Sequence, residues 1–565
     1  MKWIKRDSST TIEQVIERNS KLSIQELVVP KSEYFIENLE LAADLVNDAI
    51  ISGSPISIYG DYDADGVTAS AILYMIFEEL GYKNVSVHLP CRFNDGYGLS
   101  EKAVDLINEG LLITVDNGIA AVEAITAAKE KGLTVIILDH HLPREDGVLP
   151  PADVIVDPNA LPNSEFNSYC GAGLAYKLAC SIIDNSWFQK RISTLAAIGT
   201  VADVMPLIHD NRNIVIEGLN NMNKGIMPIG LKVLCEVLGV FNFDAEDFGF
   251  KFGPIINAVG RLKINGATTA FEALTCIDYD LAHTYAQKLI EINEERKEAV
   301  SIGLDACEQL IAEQCLFGDN PLVVYTTKED RYQFPEGIVG ILAGKLAETY
   351  KVPSIVLTET EKGFKGSGRS YGDINLKELL DKSRDYMLAY GGHAGAAGLT
   401  VSQEIIEDFK FDIQSKMEPV SDIDTDVIFY DLELTSTSDI ESALNELKVY
   451  APFGEGNPRP VFKISNTTLV PKAGAFVKRM GANGQHLKMF GSNFDIVAFD
   501  STTKYQDLGE PLTIDIIGKI SENNFAGKSS VQVEALDFSR TENSVKSSPL
   551  ADMIASALRS KGMNK

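Results

Sequence analysis

The sequence predicts an α/β protein with a largely parallel sheet domain, a long helical connector, a smaller α/β domain and a C-terminal β-barrel. Three observations support this fold class. Short apolar runs alternate with amphipathic helices over residues 56–158, as in a doubly wound parallel sheet. A continuous helical pattern covers residues 280–315, and a second strand–helix–strand pattern follows it. From residue 424 to residue 538, short β-like runs replace the helical pattern.

Length and composition describe an ordinary globular chain that is large enough for several domains. The 565 residues are 45% hydrophobic and 23% charged. Acidic residues outnumber basic ones by 80 to 51, and the formal charge of −29 excludes a generally basic surface but allows a local basic groove. The 7 cysteines form no CxxC pair, which favours a reducing compartment. There is no secretory leader pattern and no run of about 18 apolar residues, so we expect a cytoplasmic protein without membrane association.

The first two parts of the chain are an N-terminal helical segment, residues 1–50, and the larger α/β domain, residues 51–220. Helical apolar periodicity from Tyr34 to Ile51 predicts the first part. Five apolar runs with helices between them predict the sheet of the second. These runs are Ile56–Tyr59, Val85–Leu89, Leu111–Val115, Val135–Leu138 and Val154–Val156.

Residues 221–318 are predicted to be helical and to end in a connector helix at Asp280–Cys315. Its middle, Asn293–Glu298, is polar on every face, which is typical of a helix that bridges two domains, although an exposed surface helix fits the same pattern. Residues 319–418 form the smaller α/β domain, which ends in the glycine-rich sequence YGGHAGAAG. Residues 425–540 suit a five-stranded barrel of the oligonucleotide-binding type, and residues 541–565 form a polar tail.

Acidic residues and histidines follow three of the predicted strands directly. They are Asp61, Asp63, Asp65, Asp116, Asp139, His140 and His141. Because the C-terminal ends of the strands form the ligand crevice of an open α/β sheet, we expect these side chains to converge. Clustered carboxylates raise each other's pKa values, and a divalent cation would offset their repulsion. Oxygen ligands with one or two imidazoles favour Mn²⁺ or Mg²⁺ over zinc.

Four motifs resemble, in order, the metal-binding motifs of the DHH phosphoesterases. They are DYDADG at 61–66, VDNG at 115–118, DHH at 139–141 and GTVADVMPL at 199–207. One DxD motif alone is common in solvated turns, but the ordered set is specific. GSGRS at 366–370 and GGHAGAAG at 391–398 resemble the DHH-associated domain. The resemblance therefore marks residues 51–220 as a DHH catalytic domain and residues 319–418 as a DHH-associated domain.

Within this superfamily, the chain is most similar to the single-strand-specific 5′→3′ exonucleases. The sequence from Pro90 to Gly98 matches their PxR…GYG element, and GPIINAVGRL at 253–262 resembles another of their motifs. The β-rich region lies where those enzymes have an oligonucleotide-binding (OB) fold. Two departures stand out: Tyr59 occupies a position where many relatives have histidine, and Phe334–Pro335 stands where relatives often have Trp-His.

The resemblance implies a dinuclear metal site with Asp116 as the bridging ligand. Asp63 and Asp116, helped by Asp61, would hold one Mn²⁺ or Mg²⁺ ion. The second ion would be held by Asp65, Asp116, His140 and Asp203. Two ions in such a site stand about 3.5–4 Å apart, clamp the scissile phosphate and activate water.

The resemblance also implies roles around the metal site. His141 would donate to the substrate phosphate, and Asp139 would orient its neighbours. Asp116, His141 and His393 would be the catalytic residues. The implied substrate-binding residues are Arg92, Tyr97, Asn257, Arg261, Ser367, Arg369 and His393.

A 5′ phosphate needs an anion pocket, and Arg92, Ser367 and Arg369 with nearby glycine-loop amides would form one. A solvated turn is the alternative for the arginine, and the motif match argues against it; Tyr97 could stack on a base or pack in the core. The stretch 461–490 has a charge of +5, because it has five basic residues and no acidic one, and its phenylalanines suit either strand binding or barrel core. Its basic and aromatic residues are Lys463, Lys472, Lys478, Arg479, Lys488, Phe462, Phe476 and Phe490.

The resemblance implies a metal-dependent exonuclease that degrades single-stranded DNA from 5′ to 3′ into 5′-mononucleotides, in DNA repair and recombination. We expect a monomer that works beside a single-strand-binding protein and a helicase. One alternative is a DHH phosphoesterase that acts on short oligonucleotides or small phosphorylated substrates, which usually lacks a C-terminal barrel. The other is a non-catalytic DNA-binding member, which the intact acidic motifs argue against.

Overall fold

Residues 2–91, 98–417, 427–481, 483–525 and 528–541 are described in the computed structural model of the protein. The chain divides into two units. One consists of Lys31–Thr425, and the other joins both ends of the chain, Met1–Pro30 and Asp426–Lys565. None of the helices in the described ranges is long and apolar enough to cross a lipid bilayer.

The N-terminal segment begins with strand β1, Lys2–Lys5, which is followed by helices α1, Ile12–Ser20, and α2, Ile24–Val28. The prediction of helix from the first residue is therefore wrong for β1. This strand pairs in parallel with residues 427–430. Its hydrogen-bond partners lie more than 400 positions away in the sequence, so no local pattern could reveal them.

The larger α/β domain has the five parallel strands that the sequence predicts. In chain order its elements are α3 Leu39–Ser52, β2 Ile56–Tyr59, α4 Ala64–Glu79, β3 Val85–His88, α5 Glu101–Asp105, β4 Leu111–Val115, α6 Val122–Glu130, β5 Thr134–Leu138 and β6 Val154–Val156. The strand order is β3-β2-β4-β5-β6, and every pairing is parallel. All residues of β2 and β4 are buried, because helices cover both faces of the sheet.

A helical layer follows the sheet. Its helices are α7 Gly171–Ile182, α8 Ser186–Ala202, α9 His209–Asn223, α10 Ile229–Leu238, α11 Ala245–Asp247, α12 Gly253–Leu262, α13 Gly266–Thr275 and α14 Tyr279–Glu313, with a π-helical turn at Phe248–Phe252. Helix α14 confirms the predicted connector. Its polar middle is not exposed on every face, however, because Asn293 is buried and its side-chain oxygen accepts a hydrogen bond from Arg296 Nε.

The smaller α/β domain has a five-stranded sheet in the order β10-β11-β9-β8-β7. Its elements are β7 Leu322–Thr326, α15 Val339–Tyr350, β8 Ser354–Thr360, β9 Gly363–Arg369, α16 Leu376–Lys382, β10 Met387–His393, β11 Ala396–Val401 and α17 Ile406–Ser415. The predicted glycine loop around Ser367 is wrong, since GSGR lies inside β9. A Cβ on Gly366 would stand 2.2 Å from the Val356 carbonyl oxygen, so the glycine permits close strand packing and not a loop.

The C-terminal unit contains a seven-stranded sheet, where the sequence predicts five strands. Its elements are β12 Val427–Tyr430, β13 Leu432–Leu434, α18 Thr437–Tyr450, β14 Val461–Thr468, β15 Val477–Met480, β16 His486–Phe490, β17 Phe494–Ala498, α19 Thr502–Asp507, β18 Thr513–Phe525 and β19 Lys528–Arg540. The sheet order is β13-β14-β18-β19-β17-β16-β15, and β12 pairs separately with β1. Strand β13 has three residues and β15 reads VKRM, so neither shows the alternation that identifies a strand.

Candidate active site

The acidic motifs leave one edge of the parallel sheet. Tyr59, the last residue of β2, stands in register with Thr114 of β4, and Val115 with Leu138 of β5. The residues that follow these three strands therefore begin side by side. This register produces the convergence of acidic residues that the sequence predicts.

Three groups of potential metal ligands form at this edge, and the ligand atoms of each group lie within 4.8 Å of one another. They are Asp61 with Asp63 and Asp116, Asp65 with His140 and Asp203, and Asp116 with His140 and His141. The first two groups correspond to the two ion sites that the resemblance implies. His140 Nε2 lies 3.0 Å from Asp116 Oδ1 and 3.7 Å from carboxylate oxygens of Asp65 and Asp203, so Asp116 stands beside both groups.

Helix α7 fixes the carboxylate of Asp65. The two oxygens of Asp65 accept hydrogen bonds from the backbone N–H groups of Gly171, at 2.6 Å, and Ala172, at 2.8 Å. The start of a helix stabilises an anion, because its N–H groups and dipole point toward the charge. A Cβ on Gly171 would stand 2.6 Å from Asp116 Cβ, so this approach requires glycine. Gly171 is not among the residues predicted for the site, and the small-residue sequence CGAG at 170–173 was the available signal.

The carboxylates raise one another's proton affinity. Burial, together with Asp65, Asp63, Asp61 and Asp203, raises the pKa of Asp116 well above its usual range. Burial and the nearby aspartates likewise raise the pKa of Asp203 to about 8. Asp203 Oδ2 is buried and makes no hydrogen bond within the described residues. Crowded oxygen ligands with one imidazole fit hard divalent cations, so the site suits Mn²⁺ or Mg²⁺.

Asp139 holds the two histidines of the DHH motif. Its Oδ1 accepts hydrogen bonds from the backbone N–H groups of His140, at 2.8 Å, and His141, at 3.2 Å, and lies 2.7 Å from His141 Nδ1. Its Oδ2 accepts from the N–H of Ile119 at 2.9 Å. Burial lowers the pKa of His141, but the bond to Asp139 and the nearby carboxylates outweigh it and raise this pKa to about 9. His141 is therefore a hydrogen-bond donor at neutral pH.

Asp157 is a further acidic residue at the same sheet edge that the sequence analysis overlooked. It follows β6 directly, which is the signal that identified the other aspartates. Its Oδ1 accepts from the N–H groups of Asn159 and Ala160, and Asn159 Nδ2 donates to the His140 carbonyl at 2.5 Å. This turn therefore supports the backbone of His140.

Tyr59 takes no part in the ligand groups. Its hydroxyl donates to the Gly98 carbonyl at 3.3 Å, and its ring packs with Leu99 and Val104 on the other face of the sheet. The second departure is structural: Phe334 is buried, and its N–H donates to Thr326 Oγ1 at 3.2 Å. Neither Tyr59 nor Phe334 belongs to a group of potential metal ligands.

Four of the implied substrate-binding residues lie on helix α12 and strand β9. Asn257 and Arg261 lie on α12, where Asn257 Oδ1 accepts from the Ala64 N–H at 2.8 Å and Arg261 Nη1 donates to the Gly337 carbonyl at 3.3 Å. On β9, Arg369 Nη1 donates to Ser367 Oγ at 2.7 Å and to the Gly368 carbonyl at 2.9 Å.

His393 is exposed at the end of β10, and its Nδ1 accepts from the Gly395 N–H at 3.2 Å. Arg92 and Tyr97 lie outside the described residues. The 5′-phosphate pocket and the catalytic role of His393 therefore stay predictions.

Three of the five basic residues in the stretch 461–490 pair with two acids from outside it. Lys463 pairs with Glu433 at 2.9 Å, and Lys472 and Lys488 both pair with Asp495, at 3.1 and 2.9 Å. Phe462 and Phe490 are buried, so a stacking role for these two rings is wrong and the core alternative holds.

Part of the basic stretch stays exposed, including Lys472, whose side chain is 63% exposed although it pairs with Asp495. Lys478 and Arg479 are exposed on β15, an edge strand, and Arg479 reaches Glu510 only at 3.9 Å. Phe476 is partly buried.

Comparison with known protein families identifies three domains, two of them within the unit Lys31–Thr425. Residues 55–200 match the DHH family N-terminal domain, residues 319–418 match the DHHA1 domain and residues 430–537 match the RecJ OB domain. These matches cover the metal-ligand edge except Asp203, the sheet that carries Arg369 and most of the seven-stranded C-terminal sheet.

Individual relatives extend the similarity to most of the chain. The single-stranded-DNA-specific exonuclease RecJ of Haemophilus influenzae is 32% identical, over 90% of this chain and 92% of that protein. The Bacillus subtilis protein of the same name is 34% identical over 90% of this chain, which spans 64% of that relative's length. The crystal structure of RecJ with Mn²⁺ from Thermus thermophilus superposes with a TM-score of 0.76 and 26% identity, covering 96% of this chain and 80% of that one. Because the first two of these relatives are 32% and 34% identical over 90% of this chain, and the family models match in the order DHH, DHHA1 and RecJ OB, the chain belongs to the RecJ family.

Proposed function

We propose that the protein is a metal-dependent exonuclease that degrades single-stranded DNA from 5′ to 3′ and releases 5′-mononucleotides, in DNA repair and recombination. The observation that carries the proposal is the pair of ligand groups around Asp116, set in a chain that also contains DHHA1 and OB domains. The relatives at 30–34% identity bear the name single-stranded-DNA-specific exonuclease, which supports this activity over other phosphoesterase reactions.

Two divalent cations, Mn²⁺ or Mg²⁺, would occupy the site. Asp61, Asp63 and Asp116 would hold one, and the second would be held by Asp65, Asp116, His140 and Asp203. Bound there, the cations supply positive charge to the scissile phosphate and lower the pKa of water.

The protein's own groups position and polarise the phosphodiester. Asp139 accepts from His141 Nδ1 and keeps the imidazole protonated, so His141 would donate a hydrogen bond to a phosphate oxygen as negative charge develops there. The carboxylate of Asp65 is fixed in place, because two backbone N–H groups hold its oxygens. His393 would act beside the phosphate from the DHHA1 domain.

Recognition of the strand end would give the reaction its direction. Arg369 is held against its own strand by Ser367 Oγ and the Gly368 carbonyl, which orients the guanidinium. With Arg92 and Ser367 it would grip a terminal 5′ phosphate, because a guanidinium and a phosphate form charge-assisted hydrogen bonds. Tyr97 and Arg261 would contact the strand behind that end.

Product analysis separates this proposal from its alternative, a phosphoesterase for short oligonucleotides or small phosphorylated substrates. Uniformly labelled single-stranded DNA incubated with Mn²⁺ should yield 5′-mononucleotides from the earliest time point, as resolved by ion-exchange chromatography. Faster turnover of dinucleotides than of long strands, with long strands left intact, would favour the alternative. The seven-stranded OB domain argues against it, because a small substrate needs no such surface.

The OB domain would hold the strand through the exposed cations of β15. Lys478→Ala combined with Arg479→Ala should weaken single-strand binding and reduce the slope of log affinity against log salt by about 1–2, because each phosphate contact releases a counterion. Fluorescence anisotropy with a labelled oligonucleotide measures both quantities. The matched control is Lys463→Ala with Lys488→Ala, whose cations already face Glu433 and Asp495. Equal salt slopes in the parent and the Lys478/Arg479 variant would contradict the assignment.

The cellular setting follows from the proposed reaction. A single-strand exonuclease needs strands that another activity has opened, so a helicase and a single-strand-binding protein are its expected partners. None of the seven cysteines, all of which lie within the described ranges, forms a disulfide, which supports a reducing compartment such as the cytoplasm. We propose that the protein acts there as a monomer.

A further inference from the structure

Helix α12 touches the loop that carries the first metal ligands. Asn257 Oδ1 accepts a hydrogen bond from the N–H of Ala64 at 2.8 Å. Ala64 is 1% exposed, so water cannot replace this acceptor. It is also the first residue of α4, and the N–H groups at the start of a helix have no partner within the helix. Asn257 thus satisfies a buried donor between the ligands Asp63 and Asp65.

Close backbone packing holds Asn257 in place. A Cβ on Gly260, one turn further along α12, would stand 2.7 Å from the Tyr62 carbonyl oxygen. The backbone of α12 therefore lies directly against the loop. This packing fixes the backbone of Asn257 relative to Ala64, so that only the short asparagine side chain spans the gap. Helix α12 contacts the loop at two points, the Tyr62 carbonyl and the Ala64 N–H.

The remaining contacts of the loop show what Asn257 adds. Asp63 Oδ1 accepts from the Gly66 N–H at 3.0 Å, and Asp65 accepts from the start of α7. Each of these bonds fixes one carboxylate. The Asn257 bond fixes the backbone that joins the two, and so sets their separation. Without this bond, the Ala64 N–H would bond to another nearby acceptor. The nearby acceptors include the carboxylates of Asp61 and Asp63, which would then be less available to bind a cation.

We infer that Asn257 is a positioning residue for the metal site: through the Ala64 N–H it sets the spacing of Asp63 and Asp65 across the two ion positions. This differs from the sequence-based expectation, in which Asn257 contacts the DNA. The inference rests on the proposed function, since the loop it positions belongs to the proposed metal site. A residue that orients metal ligands in this way typically contributes a factor of about 10–100 in metal affinity.

The test is Mn²⁺ binding to the full-length protein without DNA, measured by isothermal titration calorimetry. Asn257→Ala should lower the Mn²⁺ affinity about 10- to 100-fold. Asn257→Asp keeps an oxygen acceptor for the Ala64 N–H, so its Mn²⁺ affinity should equal or exceed that of the parent. A DNA-contact role predicts the opposite pattern, with Mn²⁺ binding unchanged in the alanine variant and DNA binding lost in both.

Asn185→Ala is the matched control. The Asn185 side-chain oxygen accepts hydrogen bonds from the N–H groups of Trp187 and Phe188 at the start of α8, so this variant also loses a helix cap. Asp203 follows the other end of the same helix, away from this cap. The Mn²⁺ affinity of Asn185→Ala should match the parent's. An unchanged Mn²⁺ affinity in Asn257→Ala would overturn the inference. A loss of Mn²⁺ affinity by about 10- to 100-fold in Asn257→Asp would overturn it as well, and this variant can be measured even if the alanine variant does not fold. A parent protein that binds Mn²⁺ but degrades no DNA would contradict the proposed function and leave this inference standing.

Discussion

Asp116→Asn should reduce hydrolysis of single-stranded DNA to the level without enzyme and leave the fold intact. Asp116 belongs to the ligand group with Asp61 and Asp63, and its Oδ1 lies 3.0 Å from His140 Nε2 in the other group, so its loss affects both proposed ion positions. Asparagine is the appropriate replacement because residue 116 has a φ of 61°, a left-handed conformation that asparagine tolerates and alanine does not. Rates on a 5′-labelled strand with saturating Mn²⁺ measure the effect.

The same substitution should not lower thermal stability in the absence of metal. Because burial and four neighbouring aspartates raise the pKa of Asp116, its ionised form opposes folding at neutral pH. Neutral asparagine removes that cost, so the melting temperature in EDTA at pH 7 should equal or exceed the parent's. Asp157→Asn, at a buried aspartate outside the ligand groups, is the control; its amide oxygen can still accept from the N–H groups of Asn159 and Ala160, so it should retain most of the activity. Near-normal turnover by a folded Asp116→Asn protein would refute the two-ion site.

Arg369→Ala should slow the degradation of 5′-phosphorylated single strands about 10- to 100-fold, the effect of losing one charge-assisted contact. Strands with a 5′ hydroxyl should be affected far less, because the arginine has less negative charge to hold there. Initial rates on the two substrates, measured with one protein preparation, give the ratio. The comparison is internal to one variant, so partial misfolding lowers both rates and cancels.

Arg369→Lys separates charge from geometry. The lysine keeps the positive charge but cannot form the planar, two-pronged contact of a guanidinium, so its rate on 5′-phosphorylated strands should fall between those of the parent and the alanine variant. Equal loss on both substrates would assign Arg369 to the scissile phosphate or to the packing of β9.

The parallel sheet and the metal edge could be predicted because their signals are local. Strands buried on both faces are continuous apolar runs, and the acids follow them directly in sequence. The partners of those acids could not be predicted in the same way. Asp65 is held by backbone N–H groups of Gly171 and Ala172, more than 100 positions away, and a backbone donor leaves no mark on residue type.

Where the predictions were wrong, composition concealed long-range pairing. The glycines of β9 indicated a loop, yet they are required where Gly366 lies against Val356. The basic stretch looked unpaired because its acidic partners, such as Glu433 and Asp495, lie outside it. Strand β1 pairs with β12 from the opposite end of the chain.

The most direct test of the proposed activity is digestion of matched single-stranded and blunt double-stranded DNA, labelled at either the 5′ or the 3′ end, with Mn²⁺ or with EDTA. We expect immediate release of labelled mononucleotide from the 5′-labelled single strand in Mn²⁺, delayed release from the 3′-labelled strand, and no release from the duplex or in EDTA. Early release of the 3′ label, equal digestion of the duplex, or full activity in EDTA would contradict a metal-dependent 5′→3′ exonuclease of single strands.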